Sequence, residues 1–268
     1  MKRRFFWIGI LVVLIIIILI KNYKNINFTP KLKGSVSITK LLSQAKELED
    51  KTELSAAKAT YQRLIAEFSN SGQISLWQKK VEDLNIRLLF SSVITKGSLL
   101  YEIKPGDTLT KIAQEFNTTV DLIKKANNLR DDKILPGRKI KVFNQAFSTV
   151  VDKSQNTLIL KSDEEIIKTY TVSTGINNST PTGNFKITTK LLNPTWFKAG
   201  AIIPAGSPEN ILGSRWLGFD LLGYGIHGTT EPQSLGKQVT QGCVRMSNQD
   251  IEELYIIVPL GTEVGIVD

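Results

Sequence analysis

The sequence predicts a multidomain chain: an N-terminal transmembrane helix, a small α-helical segment, a βααβ module and a mainly-β C-terminal domain. Three observations predict it. An uninterrupted apolar run, Phe5 to Ile20, follows Met1-Lys2-Arg3-Arg4. From about Ile38 to Phe90, apolar residues recur at three- and four-residue spacing, the helical period. From Ala146 onward, short β-type runs alternate with Gly, Asn, Ser and Pro. At 268 residues the chain has room for two or three small domains.

The apolar run is about 24 Å long as a helix at roughly 1.5 Å per residue, slightly short of a ~30 Å hydrocarbon core. Lys2, Arg3, Arg4, Lys21 and Lys24 flank it and can snorkel to close the gap. No Ala-x-Ala site follows the run and no lipobox cysteine exists. Residues 1–21 therefore read as an uncleaved signal anchor rather than a cleaved signal peptide. Its short basic end lies inside and the rest of the chain outside. Residues 22–35, polar and holding Pro30 and Gly34, read as a linker.

Residues 36–95 are helical by pattern. Leu41, Leu42, Ala45 and Leu48 share one spacing; Ala56, Ala59, Tyr61, Leu64, Ile65 and Phe68 continue it after Lys51-Thr52-Glu53. A third helix carries Leu76, Val81, Leu84, Ile86 and Leu88. The string from Ala56 to Phe68 resembles a tetratricopeptide helix pair. One such unit cannot build a superhelical groove, so the segment is expected to be a spacer or a small docking face.

Residues 99–144 change texture. Tyr101 to Leu109 reads as a strand, a turn and a helix start, with Asp107 or Thr108 as cap. Leu109, Ile112, Ala113 and Phe116 lie on the first helix; a second runs from about Thr119 to Ala126 and ends at Asn127-Asn128-Leu129. Leu135-Pro136-Gly137 turns into a last strand, Lys139 to Phe143. This order, with Pro-Gly-Asp-Thr-Leu and Leu-Pro-Gly, resembles a LysM module. The resemblance implies binding of N-acetylglucosamine-containing glycan such as peptidoglycan. The implied groove lies between the loop holding Gly106, Asp107 and Thr108 and the loop from Asn128 through Ile134 and Leu135.

In the last part, residues 147–268, Phe147, Val150 and Val151 open a strand, and Ser154-Gln155-Asn156 turns into Thr157 to Leu160. Ser162-Asp163 turns again into Ile166 to Val172, and Phe185 to Thr188 is a further strand. The Gly- and Pro-rich stretch from Asn193 to Gly213 is too long for a plain connector and is expected to cover a site, with Trp196, Phe197 and Trp216 lining it. Tyr224 to His227 is a strand, Ser247 to Asp250 a cap for a helix to about Ile256, and Glu263 to Val267 a closing strand.

The chemistry concentrates between Ile226 and Met246, which contains the only histidine, His227, and the only cysteine, Cys243. A thiol attacks as thiolate, and a neutral imidazole within reach can take its proton. Gly228 follows the histidine and Gly242 precedes the cysteine; N–H groups beside a nucleophile can form an oxyanion hole. A lone cysteine is more often a small buried hydrophobe, so the local string decides. His227-Gly228-Thr229, then Thr240-Gln241-Gly242-Cys243-Val244-Arg245, resembles the signature of the L,D-transpeptidase (YkuD) catalytic domain: His-Gly-Thr, then Ser/Thr-His-Gly-Cys-Val/Ile-Arg. The likeness extends through Thr180 to Phe185, Asn193 to Trp196, Ile203 to Asn210 and Leu212 to Trp216.

The resemblance implies a cysteine acyltransferase that acts on peptidoglycan in cell wall biogenesis. Cys243 is the implied nucleophile, His227 the general base and acid, Gly242 an oxyanion N–H donor, and the carbonyl of Gly228 the group orienting His227. Arg245, Thr240, Gln241, Trp196 and Tyr224 are the candidate substrate contacts, although Arg245 has a structural ion pair as its other reading. The implied product is a 3→3 cross-link made from a tetrapeptide stem. L,D-carboxypeptidase or protein-to-wall ligase activity, and a non-catalytic wall-binding scaffold, are the alternatives. Gln241 departs from the family, which places a second histidine there. An amide cannot titrate near neutral pH, so reduced or altered activity is expected.

The net charge of +9 suits a wall or membrane surface and equally a solvated lysine-rich exterior. One cysteine excludes an internal disulfide; one cysteine and one histidine exclude a zinc-type cluster. No cofactor, metal or nucleic acid is called for. The expected partners are peptidoglycan and, through the first helix, the membrane of a bacterial cell, with the catalytic part extracytoplasmic.

Overall fold

The computed structural model describes residues 37–268 apart from Ala199. The expected anchor and linker, residues 1–35, lie outside the described residues. Among the described residues no helix is long and apolar enough to cross a membrane.

Three helices, each packed on the next, come first: α1 (Ile38–Asp50), α2 (Leu54–Glu67) and α3 (Ile74–Leu89). In α2 the buried stripe is Leu54, Ala57, Tyr61 and Leu64. Ala56 and Ala59, expected on that stripe, are exposed. In α3 Leu76, expected on the apolar stripe, is exposed, and the fully buried Trp77 takes its place. An indole removes more apolar surface from water than a leucine side chain and so sets the rotation of the helix.

The βααβ module follows as β1 (Ser98–Glu102), α4 (Leu109–Glu115), α5 (Val120–Ala126) and β2 (Lys139–Phe143), with β1 and β2 antiparallel. Thr108 caps α4 by accepting from the Lys111 N–H, and Thr119 caps α5 by accepting from the Leu122 N–H. Asp107 is not the cap. Its carboxylate accepts from Tyr101 Oη and the Lys104 N–H and closes the preceding turn.

The remaining chain is mainly β: β3 (Phe147–Asp152), β4 (Thr157–Ser162), β5 (Glu165–Thr171), β6 (Thr174–Gly175), β7 (Gly183–Leu192), β8 (Trp196–Lys198), β9 (Ala201–Ile203), β10 (Arg215–Phe219), β11 (Gly225–His227), β12 (Gln238–Thr240), β13 (Val244–Arg245), α6 (Asn248–Ile257) and β14 (Glu263–Val267). Eight strands form one mixed sheet in the order β13-β11-β10-β7-β14-β3-β4-β5. Strand β7 is longer than its sequence pattern predicts because it is central, pairing with β14 at one end and β10 at the other. Ser173, just past β5, exchanges backbone hydrogen bonds with Arg245 of β13, so the two ends of the sheet curl together. The stretch from Asn193 to Gly213 contributes the β8–β9 hairpin.

The parts share one core. Ile86 and Leu89 of α3, Leu122 of α5 and Phe143 of β2 belong to the same buried cluster as Phe147, Val151, Ile226, Val244 and Leu254. Phe143 and Phe147 stack across the short junction, ring centroids 4.8 Å apart. Lys141, buried in β2, donates to the carbonyls of Leu88 and Ser91 at the end of α3, and burial lowers its ammonium to about 8. Thr119 also donates to the Ile256 carbonyl in α6.

The helical segment, expected as a spacer or docking face, docks within its own chain. Asn85 Nδ2 donates to the carbonyls of Ile166 and Ile167 in β5, and Lys58 pairs with Glu165 at 2.7 Å. Glu82 accepts from Thr169, and burial raises its carboxyl. Strand β5 ends the sheet, so α3 satisfies polar groups along an edge that would otherwise invite another strand.

Candidate active site

Side chains alternate across a sheet, which sorts the three strands β10, β11 and β13 into two faces. Leu217, Ile226 and Val244 are in register and all enter the core. Trp216, His227 and Arg245, also in register, make a row on the opposite face. Cys243 lies in the bend just before β13, two residues ahead of Arg245, with its thiol against the Gly225 N–H of β11.

The row next to Trp216 and His227 holds Gly218 and Gly225. A Cβ on Gly218 would lie 2.6 Å from Trp216 Nε1, and one on Gly225 would lie 2.8 Å from Trp216 Cζ2. The indole lies over these two glycines and stacks on the imidazole, with centroids 6.0 Å apart. His227 is left only 3% exposed.

Nδ1 of His227 is 2.6 Å from the Gly228 carbonyl. An acceptor there requires Nδ1 to carry the proton, so Nε2 of the neutral ring is unprotonated. Burial lowers the imidazole to about 4; the Gly228 and Leu212 carbonyls oppose this, and the Arg245 charge adds to it. Burial raises the Cys243 thiol, against the Gly225 N–H and the Arg245 charge, which lower it. The resting pair is therefore neutral thiol and neutral imidazole, not thiolate and imidazolium.

Cys243 Sγ donates to the Gly223 carbonyl at 3.5 Å and forms part of the wall of a cavity of about 410 Å³. Trp196, Phe197, Trp216, Leu222 and Tyr224 also line it. All three aromatic residues expected over the site are thus on its wall. Leu222, 97% exposed, and Phe197, 75% exposed, leave the mouth apolar.

The other expected site residues divide. Tyr224 packs on Gly242, where a Cβ would lie 2.7 Å from Tyr224 Cε1 and φ is +129°. The Gly242 N–H, expected as an oxyanion donor, already donates to Thr240 Oγ1, and Thr240 Oγ1 donates to the Cys243 carbonyl. Thr240 is buried and holds the cysteine loop; it does not line the cavity. Gln241 is exposed and is likewise absent from the cavity wall. Arg245 is buried, bonded through Nη1 to Glu231 at 2.8 Å and to Ser234 Oγ at 2.9 Å. Of its two readings, the structural ion pair is the one these bonds match. Sequence reasoning missed Glu231 and Ser234, which carry no signal beyond being polar residues in a loop.

In the βααβ module, Gly106 and Thr108 are exposed on the first loop and Asn128 and Leu135 on the second. Backbone bonds from Gly137 to Ile103 and from Ile103 to Arg138 hold these loops side by side. Ile134 packs partly into the module's own core.

Comparison with known proteins adds the family. The L,D-transpeptidase catalytic domain (YkuD) matches residues 147–266, and the LysM domain matches residues 101–143. "Putative L,D-transpeptidase YkuD" of Bacillus licheniformis is 36% identical over 176 residues, covering 63% of this chain and 98% of its own. Its Bacillus subtilis namesake is 35% identical over 175 residues, with the same coverage of 63% and 98%. Aligned along almost the full length of these relatives, the chain belongs to the L,D-transpeptidase (YkuD) family of cysteine acyltransferases and carries a LysM domain ahead of its catalytic domain.

Proposed function

We propose that the chain cross-links peptidoglycan by acyl transfer through a thioester on Cys243. The observation that carries this reading is the oriented imidazole. Nδ1 of His227 is tied to the Gly228 carbonyl, in the row beside a cysteine that opens onto the cavity. His227 Nε2 takes the thiol proton as Sγ attacks the carbonyl of the peptide bond between an L-centre and D-alanine. The tetrahedral oxyanion is held by backbone N–H groups around Gly242 and Cys243, the Gly242 group after release from Thr240. Collapse breaks the C–N bond, the imidazolium protonates the departing D-alanine amine, and the thioester remains. An amine of a neighbouring stem then loses a proton to His227 and attacks the thioester, and the thiolate leaves.

The imidazole, neutral at rest, takes the proton as the sulfur attacks and not before. Trp196 and Tyr224 bind the stem in the cavity, while Thr240 and Arg245 hold the cysteine loop. Gly106, Asp107, Thr108, Asn128, Ile134 and Leu135 frame the glycan groove of the LysM domain. Residues 1–21 anchor the chain in the membrane and leave the domains at the wall. Domain limits of 36–95, 99–144 and 147–268 follow from the same reading.

Intact-mass measurement after exposure to a carbapenem tests the nucleophile. One drug mass is expected on the wild-type chain and none on Cys243→Ala. A wild-type chain that stays unmodified would favour a wall-binding scaffold. Product analysis on purified muropeptides separates the cross-link from carboxypeptidase or ligase products.

A further inference from the structure

We infer that Asn248 is a positioning residue. It fixes the peptide whose carbonyl holds His227 and so sets which imidazole nitrogen carries the proton. The inference rests on His227 as the base proposed above.

The argument begins with one peptide unit. The Gly228 carbonyl and the Thr229 N–H belong to the same planar group, and cis peptide bonds are absent among the described residues. In a trans peptide these two groups point in opposite directions, so fixing one fixes the other. The Thr229 N–H donates to Asn248 Oδ1 at 3.1 Å, while the Gly228 oxygen lies 2.6 Å from His227 Nδ1 on the far side. Asn248 Nδ2 also donates to the Thr229 carbonyl at 2.9 Å. The amide therefore grips Thr229 by both backbone groups, as a neighbouring strand would.

The same Oδ1 accepts from the Ser214 N–H at 3.0 Å, which ties the end of the covering stretch to this peptide. The fit depends on two glycines. A Cβ on Gly213 or on Gly228 would lie 2.2 Å from Asn248 Oδ1. Gly213 has φ +65° as well, a conformation in which a side chain is strained.

Asn248 is the first residue of α6, one position past the helix cap. That role is filled by Ser247, whose Oγ accepts from the Asp250 N–H. The amide of Asn248 turns away from its own helix and spends its bonds on the strand end that carries the imidazole. Since α6 also packs on β10 and β11, the clamp has a rigid base.

The single histidine makes the test direct, because a ¹⁵N-histidine spectrum of the full chain reports His227 alone. The wild type is expected to show the Nδ1–H tautomer. In Asn248→Ala the peptide can turn, Nε2–H should appear, and kcat for D-alanine release should fall about 10- to 100-fold, the range that partners of functional histidines command at metal sites. KM should be nearly unchanged. Asn248→Asp keeps an oxygen for the Thr229 N–H and should retain the tautomer and most of the rate. A wild-type imidazole spectrum with undiminished kcat in Asn248→Ala would overturn the inference. A changed tautomer with undiminished kcat would support the clamp and instead remove His227 as base. Should Asn248→Ala not fold, Asn248→Ser, still favourable at a helix start but too short for the grip, carries the same comparison.

Discussion

Trp216 lies nearly parallel to His227, with an interplanar angle of 19° and ring centroids 6.0 Å apart. The indole faces the cavity and the imidazole sits behind it, so the tryptophan separates the base from bulk water. Burial is the largest cause of the low imidazole value of about 4. Trp216→Ala should therefore raise the His227 value toward the ordinary 6.5. An NMR pH titration of the sole histidine reads this directly, and a value still near 4 would assign the shift to something other than the indole.

The same value predicts a pH dependence of folding. The folded imidazole titrates near 4 and the unfolded one near 6.5, so the unfolded chain binds more protons between them. Stability from this group is complete above about 6.5 and is lost as pH falls toward 4, on the order of 3 kcal/mol. His227→Gln should lack that part of the loss when denaturant midpoints of the two chains are compared across this window. Wild-type activity should keep its acid limb well below pH 6.

Removing the thiol separates the two domains functionally. Cys243→Ala should release no D-alanine from a tetrapeptide stem yet pull down with insoluble peptidoglycan as the wild type does. Release that persists would end the thioester mechanism.

Glu231 is the acidic partner of a guanidinium whose side chain is 6% exposed. Glu231→Gln leaves that charge uncompensated and should cost about 1–3 kcal/mol, less than a fully buried pair because the carboxylate is half-exposed. With the carboxylate gone, Arg245 acts unopposed on the thiol, so the Cys243 value should fall. The pH dependence of alkylation by iodoacetamide measures it; an unchanged profile would leave the pair a purely structural one.

Phe143 of the LysM domain and Phe147 of the catalytic domain share one core. Phe143→Ala should cost about 3–5 kcal/mol. Calorimetry should show the LysM and catalytic parts unfolding together in the wild type. Two separated transitions would mean that the junction transmits little.

Local signals made much of this architecture legible. The strands Lys139–Phe143 and Glu263–Val267 and the helix capped by Ser247 lie where apolar period and turn residues place them. The pair His227 and Cys243 was legible because each is unique and each stands in a specific string. What escaped was decided at long range. The rotation of α2 and α3 depends on where Trp77 is buried, and Asn85 looks like any helical amide until β5 arrives beside it. Asn248 reads as part of a capping pattern, since nothing local shows that its amide reaches Thr229 and Ser214. Glu231 finds Arg245 only once the loop after β11 folds back over β13.

The bonds from Asn85 and Glu82 to β5 give the leading helices a protective duty that belongs to the sheet. A shortened chain beginning at the LysM domain would bare the outer backbone of Glu165–Thr171, where Ile166 is already half in water. Such a fragment would keep its nucleophile and gain a sticky flank, joining its copies edge to edge. Low solubility in a trimmed enzyme would then speak of a missing neighbour, not of a damaged active centre.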